Sequence, residues 1–548
     1  MTSRAKRPDR DQGRAAARAR EEEAVMPAGT AVPSRSGMAG MIESSIRRTP
    51  DRVALGVADG SLRLSYRQLD RLVRALARRL AAAGITRADR IAVYSDNRPE
   101  FVLALLAAWA TGAAVVPIDP QLTGDEVRTR LAATGTRAVL LPSGLRGGYP
   151  ADAGPIPVWS IGIDAARSEV AVTGADQVAS PPASPPAGAG DQEFAVLLFT
   201  TGSTGTPKIV PLDHGNLAAS VRGILATCHL GPDDATLLVM PLFHGHGLVA
   251  GLLATLASGG AVHLPATGRF SAHLFWDEIV RARATWYTAV PTIHQILLAR
   301  AATDYPATDP PALRFVRSSS APLAPAVLHE TEQRFGAPVI SAYGMTETAH
   351  QAASNPLPRD GPRKDASVGL PTGPQIRIVT AAGTPAATGE TGEVRVRGAA
   401  LTAGYLDDPQ ATAAAFTDGW FHTGDLGYLD SDGYLFLNGR IKDLINRGGE
   451  KIAPHTVEAA LLAHPAVLDA LAFAIPDSKY GEEVNAAVIV RAGRHTTEAE
   501  LQRHCRARLT AFEIPKKIYF LDRFPRTGKG DGDRRALAAA LTRKAPPG

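Results

Sequence analysis

Apolar side chains recur at helical spacing after Ser65, a residue type that is favoured at the start of helices. The positions are Leu69, Leu72, Val73, Leu76 and Leu80. Gly84 follows the pattern and predicts that the helix ends there, because glycine readily adopts the left-handed conformation of a helix C-terminus.

Short apolar runs then alternate with helical patterns along the chain. The runs Arg90–Tyr94, Ala114–Ile118 and residues 138–141 predict strands, whereas Pro99–Thr111 and residues 123–133 predict helices. Strands that alternate with helices are typical of parallel sheets covered by helices. We therefore predict a layered α/β architecture for the large N-terminal part.

The pattern changes further along the chain. Residues 375–396 contain shorter, strand-rich segments, and beyond Gly439 a small unit follows in which strands and helices alternate. We predict a disordered arm over residues 1–25, a large domain over residues 26–439 and a small domain over residues 440–548. No internal repeat and no carrier-protein serine motif is evident.

Composition narrows the class of protein. The chain has 548 residues, 45% apolar and 21% charged, as expected of a globular protein with two or more domains. Its net charge is +5, but residues 1–20 contain seven Arg and Lys against two Asp, so the excess lies in the arm. The two cysteines, Cys228 and Cys505, indicate a reducing compartment. With no apolar run of membrane-spanning length, we expect a cytoplasmic protein without a nucleic-acid or membrane partner.

A loop rich in glycine and hydroxyl side chains follows an apolar run that predicts a buried strand, residues 194–198. Residues 199–208 read Phe-Thr-Thr-Gly-Ser-Thr-Gly-Thr-Pro-Lys. Gly202 and Gly205 permit a tight turn that directs backbone N–H groups inward. The hydroxyl groups and Lys208 suit phosphate oxygens, although the Walker order of Gly-Lys-Ser/Thr is absent. The hydroxyl groups belong to Thr200, Thr201, Ser203, Thr204 and Thr206.

These ten residues resemble the phosphate loop of the acyl- and aryl-CoA synthetases, adenylation domains and luciferases. That superfamily activates a carboxylic acid as an acyl-adenylate and passes the acyl group to a thiol. The resemblance extends over residues from about 40 to 535. It implies a large layered α/β domain with a small distorted β-barrel, followed by a small, mobile α+β domain.

Two further motifs resemble the nucleotide site of the family. Residues 341–347 read Ser-Ala-Tyr-Gly-Met-Thr-Glu, and the resemblance implies that Tyr343 stacks on adenine, Thr346 donates to the α-phosphate and Glu347 holds Mg²⁺. Asp425 is implied to hold the ribose hydroxyls, with Arg440 reaching ribose and phosphate. The nucleotide-binding residues implied are Thr200, Thr201, Gly202, Ser203, Thr204, Gly205, Lys208, Ser320, Ala321, Pro322, Ala342, Tyr343, Gly344, Met345, Thr346, Asp425 and Arg440.

Residues 241–247 contain two histidines and resemble the segment whose histidine lines the acyl pocket and gates entry of the thiol. Two alternatives stay open from the residues themselves. His244 and His246 could bind a metal, which would need a third ligand at suitable spacing. His246 could also be an ordinary core histidine. The acyl-pocket residues implied are His244, His246, Ser318, Gly344 and Met345.

The C-terminal part carries the implied hinge and CoA contacts. Lys442 stands where family members rotate the small domain between an adenylating and a thioester-forming arrangement, although it could be an ordinary surface lysine. The following loop resembles the one that meets the CoA pantetheine tunnel, where two glycines permit close approach of a narrow chain. Its residues are Arg447, Gly448, Gly449 and Glu450.

Within the family, residues 240–355 look closest to the oxalate-CoA ligases of plants and yeast. Residues 268–271, 286–292 and 355–358 carry that likeness. Pro322 and Gly344 depart from it, since those enzymes tend to have Ser and Ala there. Both changes are expected at the pocket wall, and Gly344 predicts room for a larger acid than oxalate.

The largest departure lies near the C-terminus. The family closes with a Pro-x-Thr-x-x-Gly-Lys motif, whose lysine bridges the carboxylate and the α-phosphate during adenylation. Residues 525–531 read Pro-Arg-Thr-Gly-Lys-Gly-Asp, so Asp531 stands at the lysine position and Lys529 lies two residues earlier. We interpret the chain as an acyl-CoA synthetase that is weak in adenylation and forms a CoA thioester from a supplied acyl-AMP.

Two alternatives remain at this point. The chain could be a complete ATP- and Mg²⁺-dependent acid-CoA ligase in which Lys529 replaces the missing lysine, or an adenylate-binding pseudoenzyme. An oxidative, luciferase-like activity has no support beyond the shared fold. The partners expected are a small carboxylic acid or its adenylate, CoA and a separate adenylating enzyme.

Overall fold

The computed structural model describes residues 37–145, 147–164, 167, 169–174, 194–200, 207–525 and 532–542. The predicted arm lies outside the described residues, as do residues 201–206 of the phosphate loop and residues 526–531. The interpretations of Thr201, Gly202, Ser203, Thr204, Gly205, Lys529 and Asp531 therefore rest on sequence.

The strands of the described residues are, in chain order, β1 Val53–Val57, β2 Arg63–Ser65, β3 Arg90–Tyr94, β4 Ala114–Ile118, β5 Ala138–Pro142, β6 Val158–Asp164, β7 Glu169–Thr173, β8 Phe194–Phe199, β9 Ile209–Asp213, β10 Ala235–Leu237, β11 Ala261–Leu264, β12 Trp286–Ala289, β13 Phe315–Ser318, β14 Val339–Tyr343, β15 Ala353–Ser354, β16 Ser367–Pro371, β17 Gln375–Val379, β18 Gly392–Arg397, β19 Phe416–Thr417, β20 Trp420–Leu429, β21 Leu435–Arg440, β22 Ile445–Arg447, β23 Glu450–Ile452, β24 Val467–Asp477, β25 Gly481–Val490 and β26 Lys517–Phe520.

The α-helices are α1 Met38–Arg48, α2 Tyr66–Ala82, α3 Pro99–Thr111, α4 Gly124–Ala133, α5 His214–Cys228, α6 Ala254–Ser258, α7 Phe275–Ala282, α8 Pro291–Asp304, α9 Pro325–Phe335, α10 Pro409–Ala415, α11 Pro454–Leu462, α12 Glu498–Arg506 and α13 Arg534–Thr542. A π-helix covers His246–Leu253, and single 3-10 turns cover Thr346–Thr348 and Ile441–Asp443.

Local sequence explains where the N-terminal helices begin and end. Ser65 forms a capping box with Gln68 at the start of α2, and the predicted apolar face of this helix is buried. α3 begins at Pro99, whose missing N–H costs nothing in a first helical turn, and it ends at Gly112 with φ +83°. These boundaries agree with the sequence predictions.

One sheet has the strand order β7-β6-β5-β3-β4-β8-β9. Its centre is parallel, and its two edge pairs, β6 with β7 and β8 with β9, are antiparallel. The strands predicted from residues 90–141 form this parallel centre, which confirms the layered α/β interpretation. β8 and β9 flank the phosphate loop, so the sheet fixes both ends of that loop.

A second sheet runs in the order β17-β18-β20-β21-β16-β15-β14-β13-β12-β10-β11-β1-β2. The neighbouring strands from β14 through β13, β12 and β10 to β11 are parallel. On the other side of β14, the pairs from β15 through β16, β21, β20 and β18 to β17 are antiparallel. Register shifts interrupt the pairs at Ser367/Gly369, Glu393/Arg395 and Leu426/Gly427. Such bulges bend strands. The resemblance implied a small distorted barrel for this region, and its strands pair here in an open order.

The C-terminal unit has its own sheet, with the order β23-β22-β25-β24 and β26 beside β25. Helices α11 to α13 cover it, which gives the α+β arrangement expected. Its apolar core includes Val457, Val484, Leu501 and Ile518. Among the residues described, no helix is both long and apolar enough to span a membrane.

Asn97 fixes the loop that leads into the π-helix. Its side-chain Nδ2 donates to the carbonyl oxygens of Leu238 at 3.0 Å and Met240 at 2.9 Å, while its Oδ1 accepts from the N–H of Leu242 at 2.9 Å. The side chain is buried at 3% exposure. This segment is irregular, so its backbone groups lack the regular hydrogen bonds of a helix or a sheet. The side chain of Asn97 satisfies three of these buried groups instead.

We expect Asn97→Ala to lower the free energy of unfolding by about 2–4 kcal/mol, because it leaves buried backbone groups without partners. Asn438→Ala is the matched control, since Asn438 is only half-buried and its side chain donates to the Thr391 hydroxyl, not to buried backbone groups. Denaturation followed by tryptophan fluorescence reports on this part of the chain, because all five tryptophans precede residue 439. Equal midpoints for the two variants would contradict this role of Asn97.

Candidate active site

Asp425 lies where three separate parts of the chain meet. It pairs with Arg440 across strands β20 and β21, and Tyr343 ends strand β14. The Tyr343 hydroxyl donates to Asp425 Oδ2 at 2.6 Å, and Arg440 Nε donates to Oδ1 at 3.0 Å. The structure therefore brings together the three residues that the sequence had assigned to adenine and ribose.

Burial dominates the electrostatics of this group. It raises the pKa of the Asp425 carboxyl above its usual value, although the Arg440 charge and the Tyr343 hydrogen bond act in the opposite direction. Burial and the Asp425 charge raise the pKa of Tyr343 well above 10, so its hydroxyl stays a donor. The hydroxyl bond to Asp425 was not foreseen, since the sequence implied only a stacking role for Tyr343.

Glu347 and Lys208 both contact the side chain of Tyr405. Thr346 and Glu347 form the single 3-10 turn after β14. The Tyr405 hydroxyl donates to Glu347 Oε1 at 2.9 Å, and Lys208 Nζ lies 4.4 Å from the centroid of the Tyr405 ring. Sequence analysis missed Tyr405, which stands in a loop after β18.

The residues around Glu347 fit a magnesium ion only in part. Among the described residues, no group of three His, Cys, Asp or Glu side chains could hold a metal. Mg²⁺ commonly binds one or two carboxylates together with substrate phosphates and water. Glu347 supplies one carboxylate, so the remaining oxygens would come from a nucleotide and solvent.

His246 belongs to a buried polar cluster. Its Nδ1 lies 3.0 Å from Ser320 Oγ and its Nε2 lies 2.6 Å from Thr288 Oγ1. Its ring stacks on His350 with centroids 4.8 Å apart. Burial lowers the pKa of both histidines well below 6.5, so both are neutral at physiological pH. His244 is only half-buried and lies against the ring of Phe243.

Arg317 provides the positive charge of this cluster. Its guanidinium donates to Thr288 Oγ1 at 3.2 Å and to Gln351 Oε1 at 2.8 Å, and lies 3.2 Å from His350 Nε2. It is 0% exposed, and burial lowers its pKa to about 10. No carboxylate pairs with it among the described residues. Sequence analysis missed Arg317, although a single charge inside an apolar strand was a visible signal.

The backbone around the cluster is strained. Ser320, Ala349 and His350 have φ values of +74°, +48° and +85°, which are rare for residues with a side chain. The Ala349 carbonyl accepts from Ser220 Oγ at 2.6 Å, and the His350 N–H donates to the Met345 carbonyl at 2.9 Å. Such strain persists where the surrounding structure imposes it, as it often does at functional sites.

The serine loop and Met345 contain further acyl-pocket and nucleotide-binding candidates. Ser319 Oγ donates to the Ala342 carbonyl at 3.0 Å, which joins the serine loop to β14. Ser318 is buried, and its Oγ has no hydrogen bond within the described residues. Met345 and Ala321 are half-buried, whereas Pro322 is exposed on the loop.

The expectation that Gly344 widens an acyl pocket is wrong. A Cβ at this position would lie 1.7 Å from the His350 carbonyl oxygen and 2.8 Å from Gln351 Cα. The missing side chain therefore makes room for the chain's own backbone. Sequence analysis could not detect this, because it does not tell in which direction the Cβ of residue 344 points.

The hinge and CoA candidates lie beside the C-terminal unit. Lys442 is exposed on the single turn Ile441–Asp443. Arg447 is held by Glu483, with Nε to Oε1 at 2.6 Å. Gly448 and Gly449 have φ values of +62° and +99°, which favours glycine at both. A Cβ at Gly448 would contact Tyr480, whereas the space around Gly449 is open, and Glu450 is exposed.

Two family models match this chain. The model described as AMP-binding enzyme matches residues 42–406, and the AMP-binding enzyme C-terminal domain matches residues 456–531. The chain belongs to the AMP-binding enzyme family. This confirms the resemblance to acyl-CoA synthetases that the motifs carried, and the chain is an enzyme of that ligase group.

Curated relatives match almost the whole chain. An oxalate–CoA ligase of Arabidopsis thaliana is 44% identical over 92% of this chain and 99% of its own. A sulfoacetate–CoA ligase of Cupriavidus necator is 38% identical, and the match covers 91% of this chain and 97% of the ligase. An oxalate–CoA ligase of Saccharomyces cerevisiae is 36% identical over 90% and 95%.

Solved structures of family members share the fold. ATP-bound MatB of Rhodopseudomonas palustris superposes with a TM-score of 0.80 at 27% identity, covering 92% of this chain and 99% of its own. The o-succinylbenzoate coenzyme A synthetase of Bacillus subtilis, in complex with ATP and a magnesium ion, gives 0.74 at 29% identity, covering 91% and 98%. These enzymes support ATP and Mg²⁺ as ligands of the family site.

Within this AMP-binding enzyme, Gly344→Ala should be destabilising by at least about 1–3 kcal/mol, because the new methyl group must displace the His350 backbone. CoA thioester formation should fall alike for small and bulky acyl groups. Gly231→Ala is the control, since its Cβ would meet nothing within 4 Å. Unchanged thermal stability together with a selective loss of bulky acyl groups would instead restore Gly344 as a pocket wall.

Proposed function

We propose that this chain forms the CoA thioester of a small carboxylic acid that carries a second anionic group. The observation that carries the proposal is Arg317, a fully buried guanidinium whose contacts are neutral side chains. Removing a cation from water costs several kcal/mol unless an anion compensates it. A substrate that brings a negative group would provide that compensation.

The neighbours of Arg317 suit the same ligand. His350 is neutral, so its imidazole keeps one N–H to donate, and the buried Ser318 hydroxyl is a donor without a partner in the described residues. These donors stand around a single positive charge, in a buried environment where its field is weakly screened. A carboxylate or sulfonate matches that arrangement better than an alkyl chain does.

The names of two relatives, the oxalate–CoA ligase and the sulfoacetate–CoA ligase, support this substrate class. Oxalate and sulfoacetate are both small and carry a second anionic group, a carboxylate in one and a sulfonate in the other. The main argument from sequence against an oxalate-sized acid was the space left by Gly344. Since the His350 backbone fills that space, the objection no longer applies at that position.

The test is Arg317→Met, which removes the charge and keeps much of the volume. Synthetic sulfoacetyl-AMP and acetyl-AMP are supplied with CoA, so the result does not depend on adenylation. The ratio of kcat/KM for the two adenylates should fall by about tenfold or more, as expected for loss of a bond to a charged group.

Arg90→Met is the matched control, because Arg90 is another buried arginine that donates to a neutral oxygen, the Thr134 carbonyl at 2.8 Å. It lies in β3, away from the candidate site, and should leave the ratio unchanged. A folded Arg317→Met variant with the ratio of the wild type would contradict the proposed substrate class.

We further propose that the adenylation half-reaction is weak. In that step the carboxylate oxygen attacks the α-phosphorus of ATP and pyrophosphate leaves, so negative charge accumulates as two anions meet. A lysine near the C-terminus neutralises part of this charge in the family, whereas Asp531 would add a further anion. Pro525 and Asp533 lie on either side of residues 526–531, and the Asp533 N–H donates to the Pro525 carbonyl at 2.8 Å.

The second half-reaction does not need that lysine. The thiolate of CoA attacks the acyl carbon of the adenylate, and AMP leaves. We propose that the chain divides between residues 439 and 440, that Lys442 is the pivot, and that rotation there presents Gly448 and Gly449 to CoA. Thioester formation can then survive the loss of the lysine, with a separate enzyme supplying the acyl-AMP.

We expect Asp531→Lys to raise pyrophosphate exchange with ATP and oxalate or sulfoacetate by about 10²–10³-fold, the usual effect of one preorganised donor. CoA thioester formation from the supplied acyl-AMP should change little. Lys529→Ala should have no effect on either assay. Robust exchange in the wild type that Lys529→Ala abolishes would favour a complete ligase, and failure of both assays would favour a pseudoenzyme.

A further inference from the structure

The segment from Leu401 to Leu406 connects strand β9, which follows the phosphate loop, to the turn that contains Glu347. The N–H of Thr402 donates to the Glu347 carbonyl at 2.9 Å, and its Oγ1 donates to the Pro211 carbonyl at 2.7 Å. The N–H of Leu406 donates to the Ile209 carbonyl at 2.9 Å. Strand β9, which begins just after Lys208, and the Glu347 turn are therefore both bonded to one short segment.

Tyr405 makes the side-chain contacts of this segment. Its hydroxyl donates to Glu347 Oε1 at 2.9 Å, and Lys208 Nζ lies over its ring, 4.4 Å from the centroid. Burial, followed by the charge of Glu347, raises the pKa of Tyr405 far above 10, so the hydroxyl remains a donor. One side chain thus contacts a cation with its ring face and an anion with its hydroxyl.

The backbone holds this ring in place. The N–H of Tyr405 donates to Thr412 Oγ1 at 2.9 Å, in helix α10. Gly404 has a φ of +153°, and a Cβ there would lie 2.4 Å from Thr412 Cγ2, so the segment packs closely against that helix. Asn216 Nδ2 donates to the Leu401 carbonyl at 2.7 Å and anchors the start of the segment.

We propose that Tyr405 is a positioning residue that keeps Lys208 and Glu347 apart and holds each in place for its own ligand. This inference rests on the proposed function and on the roles that the family motifs imply, in which Lys208 meets phosphate and Glu347 meets Mg²⁺. Opposite charges that pair directly must separate before an anion and a cation can bind. The tyrosine instead contacts Lys208 with its ring face and one carboxylate oxygen of Glu347 with its hydroxyl. Both contacts can persist when the ammonium group meets phosphate and the other carboxylate oxygen meets Mg²⁺.

Two variants separate the two contacts. Tyr405→Phe keeps the ring under Lys208 and removes the bond to Glu347, whereas Tyr405→Leu removes both. The probe is ATP without acid, and its affinity is measured by calorimetry in EDTA and in excess Mg²⁺. These binding constants do not depend on turnover, so a defect in adenylation cannot mask the result.

For Tyr405→Phe we expect the affinity in EDTA to stay within about twofold, while the gain on adding Mg²⁺ shrinks by about tenfold, as for a lost bond to a charged group. For Tyr405→Leu we expect the same loss of the Mg²⁺ gain and a fall of about fivefold in EDTA, because Lys208 loses its support. A merely structural role would change both conditions equally.

Tyr434 provides a matched pair of control variants. Its hydroxyl donates to the Pro362 carbonyl at 2.6 Å, and Lys364 Nζ lies 4.5 Å from its ring centroid, but it contacts neither Lys208 nor Glu347. Tyr434→Phe and Tyr434→Leu remove the same kinds of contact elsewhere in the fold. Both should leave the Mg²⁺ gain and the affinity in EDTA as in the wild type.

The outcomes distinguish this inference from the proposed function. A wild-type chain whose ATP affinity does not respond to Mg²⁺ would overturn the magnesium assignment and the inference with it. A wild type that responds, together with a Tyr405→Phe variant that responds equally, would overturn the inference alone. Loss of the Mg²⁺ gain in the Tyr434 variants would also overturn it, because the effect would then not be specific to Tyr405.

Discussion

The carboxylate of Asp425 is the contact on which the candidate site depends. Its two oxygens bind Tyr343, at the end of the parallel part of the large sheet, and Arg440, at the end of the last strand before the C-terminal unit. The parallel strands, the bulged antiparallel strands and the entrance to the C-terminal unit therefore share one buried hydrogen-bonded group. Because a buried carboxylate needs such partners, the three elements cannot separate without exposing or orphaning a charge.

Neutral groups lie between the charges of the site. Tyr405 stands between Lys208 and Glu347, while Thr288, His350 and Gln351 surround Arg317. Direct ion pairs between these charges would have to break before ligands could bind them, and a broken pair leaves uncompensated charges in the site. Neutral partners accept some of the hydrogen bonds of these groups and leave the charges available, and Arg317 Nε has no partner within the described residues. This arrangement suits a site that receives phosphates, a metal ion and an anionic acid.

Local signals in the sequence predicted the elements well, and distant contacts account for what it missed. Pro99 and Gly112 mark both ends of α3, and the Ser65 cap is followed by an apolar face that the structure buries. The motif residues Tyr343, Asp425 and Arg440 do converge. The sequence patterns did not reveal the roles of Asn97, Arg317 and Tyr405. Each is a single residue whose key partners include residues distant in the chain, such as Leu242 for Asn97. No local pattern records such contacts.

Gly344 shows how a motif residue can act without touching a ligand. The His350 carbonyl occupies the position that a Cβ of residue 344 would take, so this close approach is possible only for glycine. The turn that follows places Ala349 and His350 at positive φ, a strained conformation, and sets the His350 ring against His246 and its Nε2 beside Arg317. The small residue thus permits the backbone path that builds the buried cluster. A change at 344 would therefore reach the proposed acid site through His350 and Arg317.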